Sequence, residues 1–147
     1  MKRMQVVKIE MVKEKSLMYE YKQINSPKDA ANIIKLFLNN VDREMFVVMC
    51  LDTKNNINSL NVVSTGTLNS AMVHPREVFK TAILSNANSI ILAHNHPSGD
   101  PTPSREDVTV TQRLVEAGKL LGIEVLDHVI IGDGDKYISF KEKEIID

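Results

Sequence analysis

The stretch Ile90–Asp107, IILAHNHPSGDPTPSRED, changes character three times within eighteen residues. It opens as an apolar run, passes through a histidine pair into a loop with three prolines and one glycine, and closes on Ser-Arg-Glu-Asp. Apolar β-formers, then breakers, then a capping residue followed by acids predict strand, loop and helix in that order. A strand delivered directly into a helix is the repeating unit of a layered α/β domain.

The flanking sequence extends that unit in both directions. In SPKDAANIIKLFLNN, Ser26 suits an N-cap, Pro27 the first helical position and Asp29 the first turn, while Ile33, Ile34, Phe37 and Leu38 recur at helical spacing. EMFVVMCLD and INSLNVVSTG, joined by the turn TKNN, predict a hairpin of two buried strands. HPREVFKTAILSNA predicts a second helix with Pro75 near its start and Val78, Phe79, Ala82 and Ile83 on one face. After the proline-rich loop, a helix is expected from about Ser104 to Leu121, with Val108, Leu114, Val115 and Leu121 inward and Gly122 ending it. IEVLDHVIIG is then a strand, DGD a turn and KYISF a last short strand. Near the start, Val6 to Val12 alternates apolar and charged residues and predicts a half-exposed strand followed by a charged connection. Residues 1–25 thus divide as an N-terminal strand and connection from a main domain over 26–147. The fold class is α/β, with a mixed sheet covered by helices on both faces.

Composition narrows the function classes. A chain of 147 residues, 43% hydrophobic and 25% charged, suits one globular domain and excludes a disordered or fibrous one. Its 18 basic and 19 acidic residues give a net charge of -1, no global electrostatic reason to bind nucleic acid or an anionic membrane. No apolar run approaches the roughly eighteen residues of a membrane span, and the opening MKRMQVVKIEMVKEK is too charged for a signal peptide, so a cytoplasmic protein is expected. The single Cys50 excludes an internal disulfide and a cysteine-rich metal cluster. A metal would have to be held by His, Asp or Glu.

His94 and His96 offer such a site. Two residues apart on an extended chain, their side chains point to the same side, at the end of a strand where α/β folds form ligand crevices. Proline and glycine in the following loop make a defined bend that can return Asp107 to the two imidazoles. Two neutral imidazoles and a carboxylate suit Zn²⁺ and leave a fourth position for water, whose pKa the ion lowers to about 7. Glu44, at the start of the strand predicted beside it, is the candidate to take and return the proton. Plainer readings stand next to these. Ser104 and Asp107 also fit a helix-capping pair, the histidines a surface loop, and Glu44 a solvated charge. His74 and His128 fit hydrogen-bonded structural histidines better than groups orienting a ligand.

Beyond spacing, HNHPSGDPTPSRED resembles the JAMM metallopeptidase pattern: His-x-His, ten residues, then Asp, with Ser104 three before Asp107 and a glutamate upstream. Together with STGTLN, VHPREVF, AHNHPSGDPTPSREDVTVTQRL and LDHVIIG, it resembles the RadC branch of the JAB/MPN superfamily, from about Ser26 to Phe140. The resemblance implies a three-layer α/β/α sandwich related to cytidine deaminases. It also implies zinc on His94, His96 and Asp107, Glu44 as general acid/base, and Ser104 stabilising the oxyanion. The implied reaction is hydrolysis of a peptide or isopeptide bond in a peptide or protein substrate. The alternative is a DNA-repair-associated accessory or interaction domain without hydrolytic activity. The sequence lacks the N-terminal helix-hairpin-helix region of longer members, which weighs against DNA binding, as does the charge. A nucleoside deaminase would need PCxxC and His-x-Glu, and both are missing.

Overall fold

The computed structural model describes residues 1–20, 23–39, 41–66 and 73–147. Among them the element order is α1 (Pro27–Phe37), β1 (Met45–Leu51), β2 (Ile57–Thr65), α2 (Pro75–Leu84), β3 (Ser89–Asn95), α3 (Arg105–Leu121), β4 (Glu124–Ile131) and β5 (Tyr137–Ser139). The strands form one sheet in the order β2-β1-β3-β4-β5. β3 and β4 run parallel and the other neighbouring pairs antiparallel, so the sheet is mixed as expected.

Side-chain alternation along the central strands separates two cores. Phe46, Val48 and Cys50 of β1 join Ile90 and Leu92 of β3 under α2 and α3, while Val47, Met49 and Leu51 join Ile91 and Ala93 under α1. Strands buried on both faces read as near-continuous apolar runs, as MFVVMCL of β1 and IILA of β3 do. Helices therefore cover both faces and the architecture is a three-layer α/β/α sandwich.

The helix starts follow their caps. Ser26 Oγ accepts the Asp29 N–H at 3.2 Å with Pro27 in the first turn, and Gly122 ends α3 in the left-handed conformation at φ 74°. Two residues expected to face inward do not. Ile83 is 53% exposed and Leu121 47% exposed. Ile83 lies one helical step past Ala82, off the stripe made by Val78, Phe79 and Ala82. The chain reverses at Gly122, so Ile123 takes the buried position at the edge of the core that periodicity assigns to Leu121. The inward face of α3 is instead Asp107, Val110, Thr111, Leu114 and Gly118, with Val108 and Val115 partly buried.

The strand expected over Val6–Val12 is not formed. Residues 1–20 carry no regular element, and Val6, Val7, Ile9 and Val12 are exposed. Alternation makes one face of a strand apolar but supplies no partner for its backbone hydrogen bonds, and no edge of this sheet takes the segment. Part of the STGTLN segment, residues 67–69, lies outside the described residues. No helix of the described residues is long and apolar enough to cross a membrane.

Candidate metal centre

The final residues of β3 carry His94 and Asn95 to the end of the sheet, and His96 follows directly, its N–H bonded to the Ile131 carbonyl at 2.9 Å. The loop then turns through Gly99 at φ 90° and enters α3 at Ser104. On this path the two imidazoles and the Asp107 carboxylate converge. His94 Nε2 lies 3.0 Å from His96 Nε2 and 3.2 Å from Asp107 Oδ1, and His96 Nε2 lies 3.3 Å from Asp107 Oδ2. Glu44, just before β1, brings Oε1 to 3.8 Å from His94 Nε2. One ligand atom from each of the four residues falls within 4.8 Å of all the others.

Sheet register delivers Glu44. β1 lies antiparallel to β3 with Phe46 opposite His94, so the residue two before Phe46 arrives beside the residue two after His94. Asn95 then clamps that point: its Oδ1 accepts the Met45 N–H at 2.8 Å and its Nδ2 donates to the Arg43 carbonyl at 3.0 Å. The backbone on both sides of Glu44 is thereby held by one side chain.

Capping and convergence coexist in Asp107. Asp107 N–H donates to Ser104 Oγ at 3.0 Å, and Asp107 Oδ2 accepts the Ser104 N–H at 2.8 Å, a complete capping box. Its carboxylate still faces both imidazoles. Burial pushes the Asp107 carboxyl upward, but the facing imidazoles of His94 and His96 and the Ser104 N–H outweigh it and hold the group well below the usual carboxylate range. The hydrogen bond to Asp107 raises His96 against the opposing effect of burial. A cluster that keeps a carboxylate ionised and draws a proton onto an imidazole is one that attracts cations, and a metal ion competes with that proton.

The donor chemistry fits such an ion. His96 Nδ1 donates to the Asp100 carbonyl at 2.8 Å, leaving Nε2 with a lone pair toward the cluster when the ring is neutral. Ser104 is exposed, and because its Oγ only accepts in the capping box, its own proton remains to be given.

Tight packing supports the loop. A Cβ on Gly132 would stand 2.5 Å from the Gly99 carbonyl oxygen and 2.8 Å from Pro101 Cδ, so β4 leaves the sheet in contact with the segment that presents Asp100 to His96. Gly132→Ala is expected to cost about 1–3 kcal/mol by overpacking, read as a lower denaturant midpoint with an unchanged slope.

The four histidines part company. His74 is exposed at the N-cap of α2 with no side-chain cap hydrogen bond. His128 of β4 is fully buried, its Nε2 2.7 Å from His94 Nδ1, and burial holds its pKa well below the ordinary histidine value. Phe46 stacks on His94 at 6.0 Å between centroids and Phe140 on His128 at 4.6 Å, fixing both rings. Reading by spacing missed Asn95, Thr111 and the part played by His128. Thr111 alone left a local signal, lying four residues beyond Asp107 and so on the same helix face.

A hollow of about 730 Å³ lies at the far end of α3 among Gln112, Lys119, Ile123 and Ile146 and touches none of the four site residues. A smaller groove of about 440 Å³ is bordered by His96, Asn95, Pro97, Lys35 and Gly132. The groove beside the cluster is the one that chemistry at His96 could use.

Comparison with known proteins agrees with this fold. The model of the RadC-like JAB domain matches residues 24–145. A UPF0758 protein of Desulfitobacterium hafniense is 58% identical over 123 residues, covering 84% of this chain and 54% of that protein. A UPF0758 protein of Methanosarcina barkeri is 51% identical over 125 residues, covering 85% and 54%, and one of Caldanaerobacter subterraneus 58% identical over 124 residues, covering 84% and 53%. The chain spans about half the length of the curated relatives it matches. With most of its length matched by that family model, and with a His-His-Asp cluster at the strand end beside a glutamate, the chain belongs to the RadC-like JAB domain family.

Proposed function

We propose that the cluster is a zinc centre and that the domain hydrolyses peptide or isopeptide bonds. The observation that carries this is the spacing of the donors: 3.0, 3.2 and 3.3 Å between pairs of His94, His96 and Asp107 atoms. Ligand atoms about 2.1 Å from a tetrahedral zinc stand roughly 3.4 Å apart, close to these separations. A zinc ion there would supply Lewis acidity, making water a nucleophile near neutral pH and polarising a carbonyl. Glu44, farther from His94 than Asp107 is, takes the proton of the attacking water at its carboxylate and returns it to the leaving nitrogen. Ser104, held at a capped helix start, gives its hydroxyl proton as a hydrogen bond to the developing oxyanion. The groove beside His96 receives the substrate chain.

The test is turnover. Zn²⁺-loaded protein is screened against peptide and isopeptide libraries with Glu44→Gln as control, and cleavage that is equal in both, or absent from a protein that binds zinc stoichiometrically, removes the hydrolase reading. Asn95→Ala refines it. Losing both clamps on the backbone around Glu44 should lower kcat up to about 100-fold while zinc affinity stays within a few-fold, because Asn95 orients the base and not the ligands. Single-turnover kinetics and a zinc titration check the pair.

A further inference from the structure

Three contacts lead away from His94 on the side opposite the cluster. His94 Nδ1 is 2.7 Å from His128 Nε2, His128 Nδ1 is 2.5 Å from Thr111 Oγ1, and Thr111 Oγ1 is 2.7 Å from the carbonyl oxygen of Asp107. His94, His128 and Thr111 are all fully buried. Each contact needs one proton, and the last acceptor sets the direction of the whole chain. A carbonyl oxygen can only accept, so the one hydroxyl proton of Thr111 goes to Asp107. The hydroxyl oxygen must then accept from Nδ1–H of His128. A neutral His128 has only a lone pair left at Nε2, and that lone pair accepts from Nδ1–H of His94. Reversing the chain would leave Thr111 Oγ1 and the Asp107 carbonyl as two acceptors with no proton between them. Protonating both nitrogens of His128 would bury a cation whose ring nitrogens meet only an imidazole and a hydroxyl, which desolvation opposes.

We propose that His128 and Thr111 are positioning residues that lock His94 in the Nδ1–H tautomer, so that its Nε2 keeps a lone pair aimed into the cluster. The chain also ties His94 to the backbone of Asp107, which joins two candidate ligands on β3 and α3 through a neighbouring strand. A ligand histidine commonly gives its second N–H to a carboxylate, a carbonyl or water. Here an imidazole receives it, and the polarity comes from a helix carbonyl two bonds further on. A β-bulge makes this possible. Ile90 pairs with Val125 but Ile91 with Asp127, so β4 carries Leu126 as an extra residue and His128, instead of Asp127, stands opposite Leu92.

The proposal rests on the cluster being a metal site and not on hydrolysis. In metal-free protein labelled with ¹⁵N-histidine, long-range ¹H–¹⁵N correlation reports which nitrogen of His94 carries the proton, and a Zn²⁺ titration reports affinity. Wild type should show Nδ1–H. Thr111→Val should lose the uniform tautomer and bind Zn²⁺ about 10–100-fold more weakly, and Thr111→Ser, which keeps the hydroxyl, should restore both. Nε2–H at His94 in the wild type, a Thr111→Val protein that binds Zn²⁺ as tightly as wild type, or a failure of Thr111→Ser to rescue overturns it. If Thr111→Val does not fold, the wild-type tautomer and the Thr111→Ser affinity decide alone. No Zn²⁺ binding by the wild type overturns the metal reading and this proposal with it, whereas Zn²⁺ binding without hydrolysis overturns only the hydrolase.

Discussion

Asp107→Asn should strip the protein of bound metal while leaving it folded. The proposed zinc centre would give the carboxylate a second duty beside the cap, and the substitution separates the two. An asparagine oxygen can still accept the Ser104 N–H, now bonded to Oδ2 at 2.8 Å, so the helix start survives and stability should change by less than about 1 kcal/mol. The negative charge between His94 and His96 does not survive. Four-ligand zinc sites bind with about 10–16 kcal/mol in all, so one ligand is worth roughly 2.5–4 kcal/mol, or about a 100- to 1,000-fold loss of affinity. Asp107→Ala should lose the cap as well, at a further cost of about 0.5–2 kcal/mol in folding. Zinc content after dialysis and chemical denaturation measure the two effects. Unchanged metal content in Asp107→Asn would make the residue a cap and nothing more.

Glu44→Gln should do the reverse, keeping zinc and losing turnover. Glu44 Oε1 is 3.8 Å from His94 Nε2, compared with 3.2 Å for Asp107, which leaves the glutamate at the rim of the donor set. Glutamine is close in size and retains a hydrogen-bonding oxygen, yet it cannot accept and return a proton at neutral pH. General acid/base catalysis contributes about 100- to 10,000-fold, and kcat should fall within that range with zinc affinity within a few-fold of wild type. A variant that loses zinc along with activity would make Glu44 a fourth ligand, and undiminished turnover would remove it from the chemistry.

The two variants bear on how much of the site could be read from the chain. Ile90–Asp107 carries its own evidence: β-formers end at His94, Gly99 turns the loop at φ 90°, and Ser104 with Asp107 caps α3. Each of these is a short-range preference written into adjacent residues. The same locality limited the reading at both ends. Val6–Val12 has a strand's alternation and forms none, because a strand also needs a neighbour's backbone. Leu121 has a helix's inward spacing and is exposed, because the chain reverses one residue later.

What the sequence alone determined, then, is the strand–loop–helix that carries His94, His96 and Asp107, together with the alternation of elements that makes an α/β sandwich. Tertiary structure decided which distant groups join them. Glu44 arrives because β1 pairs antiparallel with β3 in a register that sets Phe46 against His94, and Asn95 fastens it there. His128 arrives because β4 lies parallel to β3 with Leu126 bulged out, and Thr111 because α3 packs across β4. Caps, turns and periodicity act over a few bonds and leave their mark in neighbouring residues. Strand order and register are set by how whole faces bury against one another, and that information is spread over the entire chain.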